Sequence, residues 1–296
     1  MSEQPVSGLM PFAGLRRRLR DNGFLKSLRT PLGIIGVIFV AFWILMAIFG
    51  PLVEPYDPLA QEFDRLQAPN ATNWFGTDQV GRDVFSRVIA SARVTIPISV
   101  FIVVVSVCVG SFIGALAGYL GKVFDEIIMR LTDIMFAFPS IILAMIISAT
   151  LGPGLKNAVI ALLVVSWPSY ARIVRSMVLT LKSSEFVIAG RLIGRGVLSS
   201  LIVDVLPNVL TSMLVLLFTD FGGAVLMLSN LSFLGLGVLP PDPDWGTMVQ
   251  NGMGNFSAWW VALFPGLAIL TLVISVNFIG DALQDSLDLQ NVTSHA

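Results

Sequence analysis

Six long apolar blocks, separated by shorter polar ones, set the pattern of this 296-residue chain. A bilayer's hydrocarbon core, about 30 Å thick, takes about 20 apolar residues to cross as a helix. The blocks at about 32–53, 94–119, 126–150, 157–178, 209–231 and 258–283 all reach that length. The expected fold is therefore all-α: a polytopic membrane protein with six transmembrane helices, the first at 32–53 and the other five within a core of 94–283. The first block is too long for a signal core and has no small-x-small exit, so it reads as a permanent span.

The polar stretches orient the spans. Residues 1–31 form a basic tail carrying Arg16, Arg17, Arg18, Arg20, Lys26 and Arg29. The positive-inside rule puts this tail in the cytoplasm, and six crossings bring the 284–296 tail to the same side. Arg172, Arg175, Lys182, Arg191 and Arg195 then also lie inside. Residues 54–93 form an extracytoplasmic segment that opens as a Pro-rich loop (EPYDPL). From about Asp83 its spacing predicts an amphipathic helix with Val84, Val88 and Ala92 on one face.

Within the spans, a few residues break the apolar pattern. Gly110, Gly114 and Gly118 lie four apart on one face, which lets a second helix approach closely. Asp133 and Asp220 are intramembrane carboxylates, and such groups are costly in lipid. Asp133 has Arg130 at i−3 as its expected partner. Asp220 lies deeper, beside Gly222 and Gly223, where it either faces a path through the protein or pairs with another chain. Trp167-Pro168 predicts a kink. The 231–257 segment, rich in Pro and Gly, cannot continue a span; it is a gate or scoop loop, or a buried cap. Its Trp245 reads first as packing.

The stretch 183–208 (SSEFVIAGRLIGRGVLSSLIVDVLPN) is too long and too polar for a simple return loop. Ser184 is a natural N-cap, and Glu185 in the first turn suits the helix dipole. A helix to about Ile193 puts Phe186, Ala189, Gly190 and Ile193 on one side. Gly194 then falls at the position where a left-handed turn needs no Cβ, and Leu206-Pro207-Asn208 stops the next segment. From the residues alone this is either a docking surface for a soluble partner or an interfacial amphipathic helix.

Composition excludes several classes. The chain is 55% hydrophobic and only 12% charged, with a net charge of −1, so no nucleic-acid partner is implied. The single cysteine, Cys108, lies in an apolar run and reads as a small lipid- or core-facing residue. The single histidine, His295, is in the tail. No GxxxxGK[ST], HExxH or GxSxG motif occurs. The chain therefore reads as non-catalytic, with no cofactor or metal of its own. An ion-coupled secondary transporter would show internal repeats with broken helices, and no convincing repeat is present.

The 183–208 segment resembles the EAA loop of ABC importer permeases, roughly E-A-A-x3-G-x9-I-x-L-P. Ala189 matches the first Ala, Gly190 stands for the second, Gly194 is the Gly, and Leu206-Pro207 is the closing pair. Ile188 occupies the Glu position, and Asp204 sits where peptide-type members often have His. FGTDQVGRDVFSRVIASAR (75–93) is similar to the G-T-D-x-x-G-R-D-x-x-S-R signature of the dipeptide, oligopeptide and nickel permeases. GYLGKVFDEIIMRLTDIMFAFPSIILA (118–144), WPSYARIVRS (167–176), LSFLGLGVLPPDPDWGTM (231–248) and WWVALFPGLAIL (259–270) follow in the family's order. Leu228 stands where that family often has Glu.

The resemblance implies a type I ABC importer permease fold in the plasma (inner) membrane of a bacterium. It implies a second, homologous permease, two ABC ATPase subunits that hold ATP and Mg, and an extracytoplasmic substrate-binding protein. It casts Glu185, Phe186, Ala189, Gly190, Arg191, Ile193 and Gly194 as the residues that couple to the ATPases. Asp220, Leu228 and Trp245 become candidates for the pathway or its gate. The implied substrates are di- or oligopeptides, with nickel or glutathione as the alternative.

Overall fold

The computed structural model describes residues 30–182 and 206–293. Among these residues there is no strand, only an isolated bridge between Thr77 and Asp83. The helices are α1 (Pro31–Val53), α2 (Val84–Leu120), α3 (Lys122–Phe136), α4 (Ser140–Leu151), α5 (Leu155–Lys182), α6 (Leu206–Phe233), α7 (Trp245–Met253) and α8 (Trp260–Thr293). Five of them are long and apolar enough to cross a membrane, and the bent pair α3–α4 makes a sixth crossing if counted as one.

The expected third span differs from a straight helix. α3 and α4 meet at 91°. Proline causes the break: Pro139 has no N–H to continue the ladder, and it disfavours helical backbone at Phe138. The 12 residues of α4 reach only about 18 Å, short of a full crossing. The expected separation of an outer amphipathic helix from the second span is also replaced. Asp83 caps a single helix of 37 residues, about 55 Å long, so its first turns stand beyond the hydrocarbon. Val84, Val88 and Ala92 are buried, as their spacing predicts.

α2 and α5 form the tightest helix pair, and small residues are the reason. A Cβ on Gly110 would meet the Trp167 carbonyl at 2.4 Å, and one on Gly114 the Ala171 carbonyl at 2.2 Å. Their interface builds one core with α4 and α6, centred on Leu162, Val174, Leu228 and Leu231. A second core joins α1, the first half of α2, α7 and α8 around Trp43, Trp245 and Trp260. α5 runs as one helix through Pro168, and α6 runs uninterrupted through Asp220, Gly222 and Gly223. Gly222 faces α8, where a Cβ would lie 3.3 Å from Val273. Cys108 is exposed on the apolar surface.

Candidate functional site

Three sites matter: a polar clamp at one end of the bundle, a cavity at mid-length, and an ion-pair cluster at the end where residues 183–205 leave and re-enter.

The clamp is built by the sequence Gly76-Thr77-Asp78-Gln79-Val80-Gly81-Arg82-Asp83. Gly76 (φ +72°) and Gly81 (φ +83°) adopt left-handed backbone that only glycine takes without strain. Asp78 then accepts from the amides of Val80 and Arg82 and, at 2.7 Å, from the Arg82 guanidinium. Asp83 caps α2 by accepting from the Ser86 amide and hydroxyl at 2.8 Å, and its other oxygen accepts from Asn73. Arg87, fully buried, donates to the carbonyls of Pro58 and Pro241. It thus ties the loop before α2 to the loop before α7. Trp245 donates to the Val88 carbonyl at 2.9 Å, and Trp260 to the Thr77 carbonyl at 3.1 Å. Within the 231–257 segment, Trp245 is thus buried and pinned, while Leu239, Met253 and Phe256 stay exposed.

The cavity, of about 280 Å³, opens between α2, α4, α5 and α6. It sits at the midpoints of the three long helices, beside Ile102 of α2, Tyr170 of α5 and Asp220 of α6. The wall is otherwise apolar, with Ser140, Ser166 and Ser169 as its remaining polar side chains. Ser140 is the first residue of α4, so the helix break brings it to the cavity. Tyr170 and Asp220 both line the cavity, and the two side chains interact electrostatically there. A Cβ on Gly223 would have nothing within 4 Å, which keeps the cavity open on the α6 side. Of the three expected pathway residues only Asp220 lines it. Leu228 and Trp245 are wholly buried in the two cores.

At the opposite end from the clamp, Arg175 of α5 holds Asp125 of α3 with two guanidinium nitrogens. Arg172 reaches Asp133 at 2.6 Å and lies 4.3 Å over the Phe136 ring. The expected Asp133–Arg130 pair does not form. Arg130 instead lies 3.8 Å from Glu126 at i−4, because Asp133 turns toward α5. Sequence spacing sees only partners on the same helix, so it missed both cross-helix pairs. Lys182, the last residue of α5, donates to the Tyr119 carbonyl at the end of α2, satisfying a helix C-terminus. The expected coupling residues Glu185, Phe186, Ala189, Gly190, Arg191, Ile193 and Gly194 lie outside the described residues.

Comparison with known proteins completes this picture. A family model described as "binding-protein-dependent transport system inner membrane component" matches residues 110–289. The chain belongs to that family. A second model, the N-terminal transmembrane domain of oligopeptide transport permease C, matches residues 25–69 of this permease. The di/tripeptide transport system permease protein DppC of Pseudomonas aeruginosa is 43% identical over 261 residues, 86% of each chain. The dipeptide transport system permease protein DppC of Alkalihalophilus pseudofirmus is 41% identical over 269 residues, 90% of this permease and 88% of the relative. The glutathione transport system permease protein GsiD of Escherichia coli is 38% identical over 263 residues, 88% and 87% of the two chains.

Proposed function

We propose that this permease forms half of a pathway that imports di- and oligopeptides, with a second, homologous permease as the other half. Two ATPase subunits, which hold the ATP and Mg, bind at the 183–208 loop, and a substrate-binding protein delivers peptide at the clamp end. On this reading the loop end is cytoplasmic, as are both termini, and the clamp end faces outward. The names of the dipeptide and di/tripeptide relatives support the substrate.

One observation carries the mechanism. The helices that bracket the loop, α5 ending at Lys182 and α6 starting at Leu206, are the same two that bring Tyr170 and Asp220 to the cavity. A displacement of the loop is a displacement of the cavity's walls. Closure of the ATPase dimer, passed through the 183–208 loop, would open and close that cavity to alternate sides. The chain itself supplies no chemistry to the hydrolysis. The glutathione relative supports a second reading, in which the peptide carried is that tripeptide.

The test is uptake by the assembled complex in proteoliposomes with its binding protein. Labelled dipeptide should accumulate with ATP and not with an ion gradient alone, and competition with glutathione separates the two substrates. Gly194→Leu should reduce uptake at least tenfold while leaving the chain in the membrane. Wild-type substrate-stimulated ATPase activity in that variant would remove the coupling role of the loop.

A further inference from the structure

Asp220 is a carboxylate at the midpoint of α6, in a cavity whose lining, among the described residues, has no cationic side chain. Among the described residues no Lys, Arg or His lines the cavity and no ion pair involves Asp220. The side chain beside it in the lining is the neutral phenol of Tyr170. An intramembrane charge of this kind marks a substrate path or meets a counter-ion. A dedicated metal cage needs several oxygen, nitrogen or sulfur ligands; among the described residues this cavity offers one carboxylate and four hydroxyls. About 280 Å³ is just below the range of small-molecule sites, room for one terminal residue rather than a whole oligopeptide. The hydroxyls of Ser140, Ser169 and Tyr170 add hydrogen-bonding capacity without charge.

We propose that the Asp220–Tyr170 cavity is a transient recognition site for the α-ammonium group of a peptide passing through the permease. This rests on the peptide-import reading above. The carboxylate supplies the counter-charge, and the hydroxyls replace part of the ammonium's water. The mostly apolar wall leaves the side chain unread, so the site accepts any peptide with a free N-terminus. Gly223 leaves space on the α6 side, where an added Cβ meets nothing within 4 Å.

The test uses the assembled complex in proteoliposomes with its binding protein. Asp220→Asn should lower dipeptide uptake at least tenfold, with Asp220→Glu recovering most of it. Gly223→Leu, whose Cβ meets nothing within 4 Å and which removes a helical glycine, should lower uptake by filling the cavity without lowering the melting temperature. In the wild-type complex, labelling of Asp220 by dicyclohexylcarbodiimide should fall when dipeptide is present during turnover. Uptake within twofold of wild type in Asp220→Asn overturns the proposal. So does labelling that is indifferent to peptide together with an Asp220→Asn chain that no longer joins the second permease, because Asp220 then pairs with a cation of that subunit. No uptake by the wild-type complex would sink the import reading instead, and normal wild-type uptake with an indifferent Asp220→Asn only the ammonium site.

Discussion

The two ends of the bundle hold their charges in opposite ways. At the clamp end, Asp78, Arg82, Asp83 and Arg87 are all less than 10% exposed, and backbone amides and carbonyls supply most of their hydrogen bonds, leaving only Arg87 Nε among these groups buried without a hydrogen-bond partner. At the loop end, Arg172 and Asp133 are about half exposed and Arg175 about a third. Helix α3, which carries the acids, keeps Val123, Ile127 and Ile134 at 60% exposure or more. Buried charge in low dielectric is worth much if complete and costs much if broken. Exposed pairs are worth about 0–1 kcal/mol. The clamp is thus built to stay in one arrangement. The α3–α5 contacts can exchange partners at low cost, at the end where the proposed coupling loop joins.

The hardest blow to this contrast is Asp78→Ala. It strands the Arg82 guanidinium, 2.7 Å from the lost carboxylate, and leaves buried Arg87 without its nearest acid, at 3.8 Å. Breaking a buried pair in this way costs about 3–5 kcal/mol. The expected result is a large fall in the melting temperature of the detergent-purified permease, or loss of the folded chain from the membrane. A variant that melts like wild type would show that the clamp contributes no stability.

A smaller effect is expected at the loop end. Arg175→Gln removes both guanidinium bonds to Asp125, yet these groups reach solvent, so the cost should be about 0.5–1 kcal/mol. Uptake by the assembled complex should change by more than that loss of stability explains, because the pair ties α3 to the helix entering the loop. The exchange Arg175→Asp with Asp125→Arg should restore part of the uptake. A melting shift as large as that of Asp78→Ala would erase the distinction between the two ends.

The clamp and the cavity differ in how far the sequence reveals them. The clamp was legible as a motif, because its glycines, acids and arginines act over short sequence distances: Asp78 to Arg82, Asp83 to Ser86. The glycine stripe of α2 was legible for the same reason, since the i, i+4 spacing is itself the contact surface. The cavity was half legible. Asp220 stood out as a charge in an apolar block, but Tyr170 is 50 residues away and carries no mark. The break at Pro139 was missed because residues 126–150 are apolar enough to read as one span; the proline's backbone chemistry outweighed that pattern. The Asp133 pairing failed because a same-helix neighbour is visible in sequence and Arg172 of another helix is not.

The smallest expected effect sharpens what the clamp end is made of. Asp244 caps α7 by accepting from the Thr247 amide at 3.0 Å, and its Oδ1 has no hydrogen-bond partner. Burial pushes its carboxyl above the ordinary value of 3.8, against the lowering effect of those hydrogen bonds. The folded state therefore holds this proton to higher pH than the unfolded state does. Its contribution to stability is complete below about pH 3.8 and declines as pH rises through the raised folded value. Asn caps a helix about as well as Asp and carries no charge to bury. Asp244→Asn should thus leave stability equal or slightly higher at pH 7 and remove this part of its pH dependence. Thermal melts of the purified permease from pH 4 to pH 8 read both quantities. An Asn variant that keeps the wild-type slope would mean Asp244 is ionised throughout; one that loses more than about 1 kcal/mol at pH 7 would mean the charge itself holds the cap.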